Sequence, residues 1–322
     1  MAASKSWPPI DLTAHLGRFF AARSELTGTL CVGFSGGRDS VVLLHALSRL
    51  GLANPLMAMH VHHGLSPRAD DWVAHCRRLC AEWNVTFSVV QVQVERGAGL
   101  GLEAAARRAR YRAFAACPAQ AVLLAHHRGD QAETLLFNLL RGSGLTGAAS
   151  MPVERDLAGV RLLRPLLEVA PQEIEAYARH NQLVWVEDES NDDTAFSRNF
   201  LRHQVMPGLE ARFPGASRAL ARAAGHFAEA QGLLDDLAEM DWQICAAAGG
   251  LRLAAARRLS AARLNNLLRW RLRQLGWQVP VAARLDEFVR QLRSARPDRH
   301  PSLALPEGEM RVGQGCLIWT RC

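Results

Sequence analysis

Apolar residues fall in two rhythms along this chain. In the first part, short continuous apolar runs alternate with longer stretches whose apolar residues recur every three to four positions. Leu30-Cys-Val-Gly-Phe34 predicts a buried strand; Gly-rich Ser35–Gly37 follows, and Val41-Val-Leu-Leu44 begins a helix running to about Leu50. Leu56–His60, Phe87–Val94, Ala121–Ala125 and Val160–Leu167 read as further strands, with helices predicted over 70–84, 102–116, 130–141 and 171–181. Strands alternating with helices of this length imply right-handed crossovers, and hence an α/β fold: a parallel sheet with helices on both faces.

Past Phe213-Pro-Gly215 the rhythm changes. Residues 216–248 and 254–295 are rich in Ala, Arg and Leu and helical in period, with no strand expected between them. Ser302–Trp319 alternates around Pro306-Glu-Gly308, as a closing hairpin does. The pattern divides the chain into an α/β domain over 1–215 and a smaller, mainly helical domain over 216–322.

Composition narrows the class. Hydrophobic residues at 49% and charged residues at 21% are ordinary globular values and exclude a collagen-like or wholly disordered chain. No apolar run approaches the roughly 18–20 residues of a membrane span, and the start, Met1 to Pro9, lacks an apolar signal core. Seven scattered cysteines form no disulfide framework, so the expected setting is the reducing cytoplasm.

Charge adds a candidate partner. Of 38 basic residues only Lys5 is lysine, and the net charge is +7. Residues 1–216 hold 22 basic against 21 acidic side chains, whereas residues 217–322 hold 16 against 10. A basic C-terminal third suits a polyanion, because arginine pairs phosphate bidentately and stacks on bases. Solvated surface charge under a general preference for arginine is the competing reading. Leu264, Leu267, Leu268 and Leu272 predict a core stripe, leaving Arg257, Arg258, Arg263, Arg269, Arg271 and Arg273 for an outer face that meets either water or RNA backbone.

The clearest chemistry follows the first strand, at Ser35-Gly36-Gly37-Arg38-Asp39-Ser40. Two glycines let the backbone turn tightly and approach an anion, and the helix beginning there offers free N–H groups and positive dipole potential. Ser35 and Ser40 add hydroxyls; Asp39 caps the helix or holds a magnesium ion. Neither the terminal Gly-Lys-[Ser/Thr] of a Walker loop nor Gly-x-Gly-x-x-Gly is present.

This string resembles the pyrophosphate loop of the ATP-pyrophosphatase (PP-loop) superfamily, which implies cleavage of ATP between its α- and β-phosphates and transfer of AMP to an oxygen to be displaced. Four further strings accompany it: His60-Val-His-His-Gly-Leu65; Leu102 to Tyr111; His126-His-Arg-Gly-Asp130-Gln-Ala-Glu133-Thr134, running on to Arg141; and Glu187 to Arg202. In order and spacing the five are similar to those of the tRNA(Ile)-lysidine synthase family over about residues 28–215. The helical region with its hairpin resembles that family's first C-terminal domain. The additional C-terminal RNA-binding domain of many members is not expected before Cys322.

The resemblance implies ATP and Mg²⁺ as cofactors, held by Ser35, Gly36, Gly37, Arg38, Asp39, Ser40, His60 and Arg110, with Asp39 toward the metal. It implies Asp39, Arg107, Asp130 and Glu133 as catalytic groups, and Arg141, Asn191, Arg198, Asn199 and Arg202 toward the RNA. The implied reaction is a ligation: C2 of the wobble cytidine in a CAU-anticodon tRNA(Ile) is adenylated and attacked by free L-lysine, releasing AMP and pyrophosphate. Lysidine then reads AUA instead of AUG, and identity passes from Met to Ile. No membrane partner is implied, and a homodimer is compatible.

Each element also has a structural reading. Asp130 and Glu133 match a helix capping box, and Glu103, Arg107 and Arg110 share a helix face as a surface salt bridge would. Ser190-Asn191 matches an Asx turn. The histidines at 60, 62, 63, 126 and 127 read as strand caps or base contacts before a transition-metal site. Where the family usually carries two acids, this chain has Gly129 before Asp130. Other adenylating ligases and tRNA thiolases share the loop, though Cys76 and Cys80 form no Cys-x-x-Cys. A non-catalytic RNA-binding factor is the alternative of another class.

Overall fold

The computed structural model describes residues 11–94, 101–189, 193–296 and 299–321. Helix α1 (Leu12–Ala21) precedes β1 (Leu30–Gly33), and α2 (Arg38–Arg49), β2 (Leu56–His62), α3 (Ala69–Glu82), β3 (Thr86–Gln91), α4 (Leu102–Ala115), β4 (Ala121–Leu123) and α5 (Arg128–Leu140) follow in alternation. A single turn, α6 (Leu145–Ala148), leads to β5 (Glu154–Leu157), β6 (Val160–Leu163) and α7 (Pro171–His180).

The strands form one sheet in the order β3-β2-β1-β4-β6-β5. Every neighbouring pair is parallel except β5 with β6. β1 lies between β2 and β4, with Leu30 in register with Leu56 and Ala121. Leu30, Cys31 and Val32 are fully buried, which is why this strand is a continuous apolar run rather than an alternating one. Helix α2 likewise buries every residue from Ser40 to Leu47.

The predicted helices and parallel strands are present, and α1 and β5 are among the elements that lie outside the prediction. α1 buries Leu12, Leu16 and Phe20 at helical spacing, with the Asp11 carboxylate accepting from the amides of Thr13 and Ala14. β5 is an antiparallel edge strand whose Glu-Arg-Asp-Leu sequence carries no apolar signal. It reaches β6 through Ala158 and Gly159, both at positive φ.

After α7 come α8 (Ser197–Phe200), a π-helical turn over Leu201–Val205, α9 (Met206–Arg212) and α10 (Ala216–Cys245). The chain divides into two compact units within α10, between Phe227 and Ala228. The early turns of α10 belong to the first unit, where Leu220, Ala223, Ala224 and Phe227 pack with Leu135 and Ala148.

The second unit continues with β7 (Ala246–Ala247), β8 (Gly250–Arg252), α11 (Leu253–Ala256), α12 (Ala261–Gln274), α13 (Ala282–Ser294), β9 (Ser302–Leu305), β10 (Gly308–Gly313) and β11 (Cys316–Arg321). Instead of an isolated hairpin, these strands form a five-stranded sheet, β7-β8-β11-β10-β9, antiparallel at every pairing. The expectation of no strand between 248 and 254 is corrected by β8, and β7 takes two of the last residues of the stretch 216–248 expected to be helical; β8 and β7 have three and two residues, too few for alternation to register. The predicted stripe Leu264, Leu267, Leu268 and Leu272 is buried against this sheet's core. Among the described residues, no helix is long and apolar enough to cross a membrane.

Candidate active site at the carboxyl edge of the sheet

Ligands of open α/β sheets bind outside the carboxyl ends of the strands. There, β1 passes through Phe34 into Ser35-Gly36-Gly37 and straight into α2. Gly36 has φ +84, and a Cβ on it would lie 2.8 Å from Cys76 Sγ, so a side chain here would be strained and obstructed. The turn is braced internally: the Gly37 amide donates to Ser35 Oγ at 3.3 Å, Ser40 Oγ donates to the Gly37 carbonyl at 2.9 Å, and the two seryl oxygens lie 3.1 Å apart. From outside, the Val186 amide donates to the Gly36 carbonyl at 3.0 Å. No side chain caps the N-terminus of α2, which leaves its first amides without a side-chain acceptor, as at helix starts that bind anions.

Asp39 lies one residue inside α2, its Oδ1 accepting from Arg38 Nε at 3.0 Å. Its Oδ2 is 3.6 Å from His127 Nε2. His127 caps α5: Nδ1 accepts from the Asp130 amide at 3.2 Å, while the His127 amide donates to Asp130 Oδ2 at 2.9 Å. The network assigns the imidazole proton to Nε2, on the side facing Asp39. The capping box anticipated over 130–133 thus exists three residues earlier, between His127 and Asp130, which leaves Glu133 for another partner.

That partner is Arg202, on the π-helical turn. It donates from Nε and Nη2 to the two oxygens of Glu133, each at 2.9 Å, and from Nη2 to Asp130 Oδ1 at 2.7 Å. π-helical turns recur at functional sites because they re-aim side chains. Burial opposes ionisation of Asp130, but His127, His126, Arg202 and the His127 amide outweigh it and hold the carboxyl below the ordinary range. Beside this group opens a cleft of about 280 Å³, lined by Arg38, Asp39, His127, Gly129, Glu133 and Arg202 among others.

Other residues singled out in the sequence lie around this centre. His60 is buried and donates from Nδ1 to the Phe34 carbonyl at 2.9 Å, tying β2 to the start of the loop; burial lowers its pKa. Arg107 and Arg110 project from α4, and Arg198 donates to Thr134 Oγ1 on α5 at 3.1 Å. Asn199 donates to the Asp193 carbonyl at 2.9 Å, a local bond within the segment leading to α8. Arg141 caps the far end of α5, about 16 Å of helix from Asp130, with its guanidinium 5.1 Å from the Phe137 ring. Asn191 lies outside the described residues.

Two residues of this region were given no role in the sequence analysis. Arg164 is 2% exposed, immediately after β6, and Tyr111, the last residue of the Leu102–Tyr111 string, has two arginines stacked near its ring, Arg107 at 4.9 Å and Arg155 at 4.8 Å from the centroid. A signal for Arg164 was present, since Arg161 and Arg164 interrupt the apolar run Val160–Leu167. Among the described residues, no group of three His, Cys, Asp or Glu side chains could hold a metal ion.

In the second unit several arginines of the expected outer face have partners of their own. Arg257 donates to the carbonyls of Leu292 and Ala295 at 2.8 and 2.6 Å, closing the end of α13. Arg263 is paired with the buried Asp241 and Arg273 with Asp235. Arg271 stacks 4.3 Å from the Trp242 ring, whereas Arg258 is exposed.

A family profile described as PP-loop domain matches residues 11–209, and one described as TilS substrate binding domain matches residues 251–318. The tRNA(Ile)-lysidine synthase of Aromatoleum aromaticum is 50% identical over 282 residues, which cover 87% of this chain and 65% of that protein. The tRNA(Ile)-lysidine synthase of Alkalilimnicola ehrlichii is 46% identical over 315 residues, covering 97% and 70%. The chain therefore spans about two-thirds of the length of these relatives. Among solved structures, the U34-tRNA thiolase NcsA of Methanococcus maripaludis superposes with a TM-score of 0.57 at 17% identity, over 68% of this chain and 78% of that one, a likeness of fold alone. With both profiles matched and a relative 50% identical over 87% of this chain, the chain belongs to the tRNA(Ile)-lysidine synthase family.

Proposed function

We propose that this chain adenylates C2 of the wobble cytidine in a CAU-anticodon tRNA(Ile) and then joins that carbon to free L-lysine, in the cytoplasm. The observation that carries the reading is the junction at Arg202, which ties the Glu187–Arg202 string to Asp130 and Glu133 beside Asp39 of the nucleotide loop.

In this reading the polyphosphate of ATP lies on the amides that open α2, with the positive end of that helix and Arg38 offsetting its charge. Asp39 would hold a magnesium ion together with phosphate oxygens, since Mg²⁺ is commonly bound through one or two carboxylates plus substrate phosphates, and the ion would neutralise part of the polyphosphate charge. The C2 carbonyl oxygen of the cytidine attacks the α-phosphorus and pyrophosphate leaves. The lysine ε-amine then attacks C2: the C–N bond forms, the C–O bond breaks, and the oxygen departs with AMP.

The cleft suits a lysine zwitterion with a cationic side chain, because it combines Arg38 and Arg202 with Asp39, Glu133 and Glu210. The ε-ammonium of free lysine, which ordinarily titrates at about 10.4, must lose a proton before it attacks. Arg202 covers both oxygens of Glu133, so the incoming ammonium competes with Arg202 for that carboxylate, and Glu133 receives the proton once displaced. Asp130, held below the ordinary carboxylate range, is a poor base and orients His127 and Arg202 instead.

The test is mass spectrometry of CAU-anticodon tRNA(Ile) after incubation with the full chain, ATP and lysine. A lysine-dependent and ATP-dependent mass gain at the wobble cytidine supports the reading. An unchanged cytidine, or sulfur incorporated in place of lysine, overturns it.

A further inference from the structure

A second cluster of charge lies apart from the loop, where α4 meets β5 and β6. Arg107 donates to the Tyr111 hydroxyl at 3.1 Å and lies 4.9 Å from that ring's centroid, while Arg155 lies 4.8 Å from it. Arg164 is 2% exposed, donates from Nη1 to the Pro152 carbonyl at 2.6 Å and interacts with the Tyr111 hydroxyl. Arg110 and Arg198 complete the group.

Among the described residues, none of these five guanidiniums has a carboxylate within ion-pair distance; Glu103 approaches Arg110 without pairing. The orphaned atoms point the same way: Arg164 Nε, His63 Nδ1 and His126 Nδ1 are buried with no partner. Burial and mutual repulsion both work against charge here, lowering Arg110 and Arg164 alike. Uncompensated buried cations are costly, and a bound anion is what offsets the cost.

We propose that Arg107, Arg110, Arg155, Arg198 and Tyr111 seat a phosphodiester of the RNA strand, with Arg164 as the buried positioning residue that fixes Tyr111 and charges the pocket. ATP is the other source of phosphate, and two observations favour RNA. The loop and the start of α2 already form an anion cradle for the nucleotide. Arg155 lies on the sheet's edge strand, three strand spacings or about 14 Å from β1, so the pocket runs outward as a polymer does. Guanidiniums stacked on an aromatic ring are also held ready for a backbone phosphate at low entropic cost.

The inference rests on the RNA-substrate reading above, but its test needs no turnover. Binding of a CAU-anticodon tRNA(Ile) transcript and of ATP alone is measured separately on the full chain. Arg155→Gln weakens tRNA binding about three- to tenfold and makes the log–log salt slope shallower by about one, with ATP affinity unchanged. Unchanged tRNA affinity, or an equal loss for ATP, overturns the assignment. For Arg164, Met removes the charge at similar length and Lys keeps it. Arg164→Lys restoring most of the tRNA affinity lost in Arg164→Met supports positioning through charge. Equal tRNA affinity in the two, with only thermal stability reduced, makes Arg164 a structural tie and overturns its part. A chain that bound tRNA as described yet formed no lysidine would sink the catalytic reading alone.

Discussion

Arg202 holds Glu133 through two parallel hydrogen bonds, Nε to Oε1 and Nη2 to Oε2, each 2.9 Å long and joining residues 69 positions apart. Bidentate pairs of this kind are the strong members of their class and fix orientation as well as charge. Glu133 is nearly buried, at 8% side-chain exposure, while Arg202 is 40% exposed. The acid depends on the arginine more than the reverse.

Arg202→Ala should therefore leave Glu133 buried and unpaired. We expect a loss of about 1–3 kcal/mol, less than for a fully buried pair because Arg202 is partly solvated. Thermal denaturation checks the stability, and lysine incorporation into tRNA should fall with it. Arg202→Lys retains charge but not the fork, and should recover stability more than activity. Full activity in Arg202→Ala would remove the junction from the mechanism.

Acid sensitivity should trace to two half-buried histidines, each with its Nδ1 atom buried and unpartnered. Burial, reinforced by Arg164, Arg107 and Arg110, pushes His126 down to about 3 despite the attraction of Asp130. Burial, with Arg110, His60 and His62, pushes His63 down to about 4. Unfolded histidine binds its proton at about 6.5, so below that pH the unfolded state gains protons that the folded state refuses. Stability should fall progressively from about pH 6.5 toward 3–4. Asp130 adds to the loss with the same sign at lower pH, since its folded pKa is depressed and its contribution disappears as it protonates. Urea midpoints across this range provide the measurement, and His126→Asn should flatten the decline. An equally steep decline in that variant would clear His126.

Gly129 stands where the family resemblance leads one to expect an acid, and a side chain there would be obstructed. A Cβ there would lie 2.9 Å from His127 Cε1 and 3.2 Å from Pro171 Cγ. Gly129→Asp should displace the His127 cap or α7 and cost about 1–3 kcal/mol, as overpacking does. We expect a lower melting temperature and no gain in lysine transfer. A gain would mean that the second acid has a role this site still accommodates.

The arginines of the second unit should separate into two behaviours. Arg258→Glu, at an exposed position, should weaken tRNA binding and make its salt dependence shallower, with the fold intact. Arg257→Glu removes the donors that close the end of α13 and should lower the melting temperature of the chain. Unchanged tRNA affinity in Arg258→Glu would return that residue to simple solvation.

Much of this was legible without coordinates because it depends on local pattern. Strands buried on both faces must be continuous apolar runs, so β1 and β4 announced themselves, and an anion loop needs glycines at fixed places between strand and helix. Elements with a weaker local signature were not legible. The polar edge strand β5 and the two short strands β7 and β8 are defined by the partners they pair with.

By itself, then, the sequence determined the alternating sheet, the Ser35–Ser40 loop and the family resemblance, since each is written in neighbouring residues. Tertiary structure decided the partnerships. Whether Asp130 caps a helix or takes part in a charged junction was undecidable from spacing, and in the fold it does both, because His127 and Arg202 approach it from opposite directions. Likewise Arg164 is one of two charges in an apolar run until β5, β6 and α4 gather other guanidiniums around it. Charges far apart in sequence acquire meaning from distance and burial, and those are properties of the folded chain.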